Sequence, residues 1–248
     1  MLGIIGGSGL SELGSLEGVR RQTVQTPYGE PSGALTFGRL RGREVVFLAR
    51  HGDAHTIPPH RVNYRANIWA LRDQGVANIV SIASVGGIRA DLVPGALVLP
   101  DQIIDYTHGR SATYFDQTDR SVTHIDFTHP YCDALRARIA AAAAAVGETV
   151  IEGATYAATQ GPRLETAAEI NRLERDGADL VGMTAMPEAA LARELELCYA
   201  MVAVVVNPAA GRNGSRHGVS LEDITAVLNP AMARVCRVLD ELADANDD

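Results

Sequence analysis

The sequence predicts a one-domain α/β protein, and three observations carry that reading. Ala77 to Ser84 is nearly all apolar, the pattern of a strand buried on both faces. Just before it, Val62 to Gln74 carries an apolar stripe of Val62, Ala66, Trp69 and Ala70, which marks an amphipathic helix. The 248 residues can bury a substantial core and show neither an internal repeat nor a linker, so 1–248 reads as a single domain.

Composition excludes several classes. Hydrophobic residues at 46% and charged residues at 21% argue against disorder. A net charge of −8 argues against nucleic acid as a partner, because neutralising phosphates along a duplex needs a basic face. It leaves room for small phosphates, which a few local donors can hold. Cys132, Cys198 and Cys236 are too scattered for a disulfide framework or a zinc site, and the expectation is buried free thiols in a reducing compartment. No apolar run reaches membrane-spanning length, and the first residues lack the basic region of a signal peptide. The expectation is a soluble, cytoplasmic protein with no membrane partner.

In chain order, Leu2 to Ile5 reads as a first strand ending in Gly6-Gly-Ser-Gly9, a turn whose freed N–H groups suit an anion. Thr23–Gln25, Ala34–Gly38 and Glu44–Ala49 read as antiparallel strands. Arg50-His51 follows directly. His51, His55 and His60 raise the question of a metal, but Gly52 and Pro58-Pro59 interrupt any helix that would align them, and an anion fits the Arg-His pair better. Pro100 to Asp105 reads as a strand. It leads into a long loop, up to His129, whose aromatics either cap a pocket or reach another subunit. Pro130–Val146 reads as a helix, and Thr149–Thr159 and Tyr199–Val206 as strands.

Gly161-Pro162 is a turn, and Glu165, Glu169, Ile170 and Leu173 mark a helix with acid in its first turn. Asp179–Gly182 is a short strand, and a helix starts at Pro187-Glu188. Glu165 and Met183-Thr184 thus fall at element ends, where open α/β sheets bind ligands. Asn207 ends the apolar strand before it. Gly211 to Gly218 reads as a mobile loop, and Ser220 to Asp223 as the capped start of the last helices, with Pro230 as a break or kink.

Five motifs in order, Gly6-Gly-Ser-Gly-Leu10, Arg50-His-Gly, Pro58-Pro-His-Arg-Val-Asn-Tyr-Arg-Ala-Asn67, Gly161-Pro-Arg-Leu-Glu-Thr166 and Val181-Gly-Met-Thr-Ala-Met-Pro-Glu188, resemble the purine nucleoside phosphorylase family, and within it the methylthioadenosine phosphorylase branch. The resemblance implies a phosphorylase-type fold, a mixed central sheet flanked by helices. It also implies phosphorolysis of an N-glycosidic bond with inorganic phosphate as co-substrate and no cofactor or metal. It puts phosphate at Ser8, Arg50, His51, Thr184 and the backbone of Ala83-Ser84, although relatives often carry Thr or Asn where this chain has Ala83. It puts Met183 against the sugar, Leu164 where an aromatic would stack on the base, and Glu165 and Asn207 on the base edge, with Pro208 and Ala209 beside them. Arg50, His51 and Asn207 are the catalytic candidates, Asn207 as donor to N7. It implies a homotrimer or hexamer, with His124 completing a neighbouring subunit's site.

The implied substrate is S-methyl-5′-thioinosine. Adenine-specific members carry a carboxylate where this chain has Asn207, and another where it has Ala209, whereas a carboxylate at 165 and an amide at 207 complement the N1–H, O6 and N7 of hypoxanthine. Leu221 and Ile224 suit a methylthio group, while nearby His217 keeps inosine and guanosine open as substrates. Methylthioadenosine is the other alternative. A non-catalytic nucleoside binder has no use for the phosphate residues.

Overall fold

The computed structural model describes residues 1–10, 12–117 and 121–244. Among them, eleven strands form one mixed sheet. They are β1 (Leu2–Gly6), β2 (Glu17–Gln22), β3 (Leu35–Leu40), β4 (Arg43–Ala49), β5 (Asn78–Gly87), β6 (Leu97–Leu99), β7 (Gln102–Asp105), β8 (Val150–Glu152), β9 (Thr155–Ala158), β10 (Leu180–Gly182) and β11 (Cys198–Pro208). The helices are α1 (Tyr64–Asp73), α2 (Asp133–Ala145), α3 (Ala167–Arg175), α4 (Ala185–Glu194) and α5 (Leu221–Asp244). Helices α2 and α5 cover one face of the sheet around Leu135, Ile139, Val235 and Leu239. Helices α1 and α4 cover the other around Ile68, Leu71, Ala189 and Leu191. With both faces buried, β5 and β11 need no alternation, which is why they read as continuous apolar runs.

The topology turns on β5. One edge pairs along its length with β11, in parallel. The other edge pairs in parallel with β1 only as far as Ile5↔Ser81, and resumes antiparallel with β10 at Val181↔Gly86. Strands β1 and β10 therefore arrive from opposite ends and stop short of each other, leaving Ile82 to Val85 without a ladder on that edge. Unpaired backbone polar groups in a buried place need another partner. This break is where the site lies.

Several sequence expectations need correction. The strand expected at Thr23–Gln25 is instead Glu17–Gln22, a solvent-exposed edge strand with charges at Glu17, Arg20 and Arg21 and hence no apolar alternation to detect. The strand expected over Thr149–Thr159 is two, β8 and β9, divided at Gly153, which takes a φ of +80° that a strand cannot carry. The last helices are one: α5 runs through Pro230, whose exposed position lets water take the carbonyl its missing N–H frees. Cys132 and Cys198, expected as free thiols, form a disulfide between the start of α2 and the start of β11. They lie 66 residues apart in sequence, a separation that gives no hint of contact. Cys236 is free.

The long loop after β7 holds no helix or strand among its described residues, and residues 118–120 lie outside them. Its aromatics do not cap the cavity described below. Tyr114 is buried edge-on against Tyr28, and Phe127 packs on the core. Tyr114 Oη donates to the Arg65 carbonyl, and Glu194 accepts from Tyr114 N and Thr113 Oγ1, so this part of the loop is fastened to α1 and α4.

Candidate active site

A cavity of about 350 Å³ opens at the break beside β5. Its walls come from the ends of β1, β4, β10 and β11 and from the turn before α3. Ser8, Arg50, His51, Ala83, Ser84, Leu164, Glu165, Met183, Thr184, Asn207, Ala209 and Ile224 all line it. Gly7 lets β1 end close against β5: a Cβ there would meet the Ile82 carbonyl oxygen at 2.4 Å and Arg50 Nη1 at 3.0 Å. Gly161, at φ +60°, likewise leaves room for Met183, whose Sδ would lie 2.4 Å from an added Cβ.

At one end the cavity gathers hydrogen-bond donors of the kind that suit an anion. Thr184 is buried, and its Oγ1 has no hydrogen-bond partner in the protein. A buried hydroxyl without a partner costs free energy unless a ligand supplies one. Its backbone N–H is held by Tyr156 Oη at 3.3 Å, so the residue is fixed independently of any ligand. Ile82 turns its carbonyl to the open edge, where Arg50 Nη1 donates to it at 3.0 Å. By strand alternation Ser84 presents its own N–H to that same edge. Ser8 Oγ lies 3.4 Å from His55 Nε2.

Arg50 is fully buried and its fork faces away from the cavity. Nε and Nη2 donate to the two carboxylate oxygens of Glu188, and Nη2 also donates to Ser81 Oγ at 2.6 Å. With the bond to Ile82, four of five guanidinium N–H groups are engaged within the protein. One N–H on Nη1 is left to face the cavity. Burial works against the Arg50 charge, but Glu188 more than offsets it and holds the guanidinium above its ordinary range. Glu188 also accepts from Ser81 Oγ at 2.7 Å and Tyr199 Oη at 2.8 Å.

His51 donates from Nδ1 to the Ile57 carbonyl at 2.8 Å, which leaves Nε2 as the other ring nitrogen. Burial first, and then the Arg50 charge, lower its pKa to about 4, so the ring is neutral near pH 7. With Arg50 paired to Glu188 and His51 uncharged, an anion placed at this end would meet dipoles more than free charge.

The other end presents a carboxylate and an amide. Glu165 Oε1 accepts from Thr159 Oγ1 at 2.7 Å, which leaves Oε2 free to accept from a ligand. Asn207 Nδ2 donates to the Pro208 carbonyl at 2.6 Å, leaving one N–H and the amide oxygen. Two expected residues do not line the cavity. Pro208 stays in the β11 ladder opposite Gly87, and Ala209 and Ala210 form the wall instead. Leu221 is 73% exposed at the first turn of α5, and Val219, on the incoming loop, takes its place beside Ile224. His124 is exposed and outside its own chain's cavity, and His217 is also exposed and not part of the wall. Among the described residues no group of three or more His, Cys, Asp or Glu could hold a metal ion. Sequence reasoning missed Glu188, Thr159 and Tyr156. An acid in the first turn of a helix is already accounted for by the helix dipole, so nothing marked Glu188 as buried.

A mixed sheet flanked by helices on both faces, with the cavity at its interrupted strand, is a phosphorylase-type fold. The chain belongs to the phosphorylase superfamily, whose family model matches residues 1–244. It is 51% identical over 243 residues to a protein of Pseudomonas syringae pv. tomato named probable S-methyl-5′-thioinosine phosphorylase, covering 98% of both chains. It is 48% identical over 220 residues to the 6-oxopurine nucleoside phosphorylase of Pyrococcus furiosus, covering 87% of this chain and 82% of that one. Among solved structures it resembles methylthioadenosine phosphorylase from Schistosoma mansoni in complex with adenine, with a TM-score of 0.93, 31% identity, and coverage of 98% of this chain and 90% of the other.

Proposed function

We propose that the chain catalyses phosphorolysis of S-methyl-5′-thioinosine to hypoxanthine and 5-methylthioribose 1-phosphate. The observation that carries this is the pairing, across one cavity, of the unpartnered Thr184 hydroxyl at the break in β5 with the Glu165 carboxylate and Asn207 amide at the far wall. Breaking the bond at C1′ develops positive charge on the ribose and negative charge on the purine. Phosphate held by Ser8, His51, Thr184, the last Arg50 N–H and the Ala83-Ser84 backbone stabilises the cation and then attacks it, which removes the entropy cost of an encounter. Asn207 donates to N7 and stabilises the leaving base. The phosphate proton balances the reaction by ending on the base. Glu165 accepts from N1–H, Met183 packs on the sugar, Leu164 on the base, and Ile224 with Val219 flanks the methylthio group.

Inorganic phosphate is the co-substrate, and neither cofactor nor metal takes part. Residues 1–248 act as one domain, supported by the single continuous sheet. His124, exposed and away from its own cavity, serves a neighbouring subunit's site in a trimer or hexamer. The substrates are small metabolites of the cytoplasm, which is where the chain acts. No described helix is long and apolar enough to cross a membrane.

The test is a panel of methylthioinosine, methylthioadenosine, inosine and guanosine, assayed for base release with and without phosphate. Phosphate-dependent release of hypoxanthine, fastest from methylthioinosine, is expected. Release that needs no phosphate, or a preference for methylthioadenosine, overturns the proposal. The second outcome is the reading that the adenine-bound structural relative favours.

A further inference from the structure

We propose that Arg110, on the long loop after β7, is a positioning residue for the nucleoside half of the site; this rests on the reading that the cavity takes a nucleoside beside phosphate. Arg110 is partly buried and does not line the cavity. It nevertheless gathers the backbone behind both segments that face the nucleoside. From Nη1 it donates to the carbonyls of Met183 at 2.8 Å and Met186 at 2.6 Å. From Nη2 it donates to the carbonyls of Thr159 at 3.2 Å and Gln160 at 2.9 Å, and Nε donates to Gln160 Oε1 at 3.1 Å.

The first pair of carbonyls brackets the turn that presents Met183. The second pair begins the turn that ends in Leu164 and Glu165, and Thr159 itself bonds Glu165. One planar guanidinium therefore sets the distance between the wall expected to meet the sugar and the wall expected to meet the base edge. Both segments follow short strands, β9 and β10, and those strands bond each other only to Gly182↔Ala158. Beyond that register Arg110 takes over the connection from the ladder. A lysine cannot do the same, because an ammonium is a point and cannot reach four carbonyls spread along two segments. The phosphate donors depend on Arg110 much less. Ser8, His51 and Ser84 lie on other elements, and Thr184, whose peptide includes the Met183 carbonyl that Arg110 holds, keeps a second anchor in Tyr156.

The experiment measures dissociation constants of methylthioinosine without phosphate, and of inorganic phosphate alone, in wild type, Arg110→Lys and Arg110→Gly. Nucleoside affinity is expected to fall roughly tenfold or more in both variants, since displacement of about 1 Å at a site of this kind is costly. Phosphate affinity is expected to stay within about twofold of wild type, because most of its donors are untouched. Free guanidinium at low millimolar concentration should restore part of the nucleoside affinity of Arg110→Gly and none of that of Arg110→Lys. Equal loss of both ligands, unchanged nucleoside binding, or a folded Arg110→Gly that guanidinium does not rescue would overturn the proposal. If Arg110→Gly fails to fold, the split between ligands in Arg110→Lys decides. A wild type that binds nucleoside yet releases no base with phosphate overturns the proposed reaction alone, since the Arg110 comparison reads binding.

Discussion

The guanidinium of Arg50 lies fork to fork on the carboxylate of Glu188, Nε to Oε2 at 2.8 Å and Nη2 to Oε1 at 2.9 Å, and neither side chain is exposed. Glu188 thus decides which Arg50 N–H is left to face the cavity. Removing one member of a buried pair strands the other charge, which typically costs about 3–5 kcal/mol. Glu188→Ala is expected to lose stability on that scale in urea unfolding. Glu188→Gln keeps the shape, and should lose less stability while raising the KM for phosphate more than that for nucleoside. Equal effects on the two KM values would mean that the pair serves folding alone.

Thr184 gives the complementary case. Because its Oγ1 bonds nothing in the protein, Thr184→Val removes no internal hydrogen bond, and the unfolding midpoint should move little. Phosphate binding should weaken by about 1–3 kcal/mol, the usual cost of losing one buried donor to an anion. Calorimetric titration with phosphate checks this, and unchanged affinity would show that the hydroxyl faces no ligand.

His51 makes stability depend on pH. Its pKa is near 6.5 when unfolded and about 4 when folded, lowered by burial and by Arg50. The unfolded chain therefore binds the extra proton first. The stability that neutral His51 contributes is present in full above about pH 6.5 and is lost as pH falls toward about 4, by roughly 3 kcal/mol at most. His51→Asn should flatten that part of the curve. Urea unfolding of both proteins at pH 7 and pH 5 measures it, and identical slopes would exclude His51 as the source.

For the base, Asn207→Asp is expected to shift the ratio of kcat/KM for methylthioadenosine over methylthioinosine upward by roughly tenfold or more. The carboxylate would sit where Nδ2 now lies 2.6 Å from the Pro208 carbonyl, a contact that favours its protonated form. Turned from that carbonyl toward a bound base, the single O–H of a protonated Asp donates to N7 while its other oxygen accepts from the 6-amino group. Equal loss of both activities would remove residue 207 as the specificity element.

The disulfide is directly countable. Protein alkylated on lysis under denaturing conditions should carry the label on one cysteine, Cys236, and later reduction should free two more. Label on all three before reduction would mean that Cys132 and Cys198 remain thiols in the compartment where the chain is made.

Much of the frame was legible because burial writes itself into apolar runs. β1, β4, β5, β10, β11 and the helices α1 and α3 fall within a few residues of where the patterns put them. The acid expected in the first turn of α3 is Glu169, which the structure shows closing a capping box with Thr166. Edge strand β2 was not legible, since its exposed polar face carries no periodicity. The cavity-lining residues at strand ends were legible as glycines, a His, a Thr and an Asn at interruptions of apolar runs. What holds them was not. Glu188, Tyr156, Thr159 and Arg110 act across 6 to 138 residues of sequence, and separations of that range leave no local mark. Leu221 shows the opposite error: an apolar residue at the right spacing that the start of α5 leaves in solvent.

The break in the β5 ladder has a bearing on hydrogen exchange. A sheet normally protects its amides with a neighbouring strand, and here the segment Ile82 to Val85 has one on a single edge. In the empty protein, the Ser84 amide on the open edge should exchange with solvent faster than amides of β5 on either side of it. Bound phosphate would take the place of the absent strand and slow that exchange. The co-substrate would then be, in effect, the twelfth member of an eleven-stranded sheet, joined by oxygen atoms instead of peptide groups.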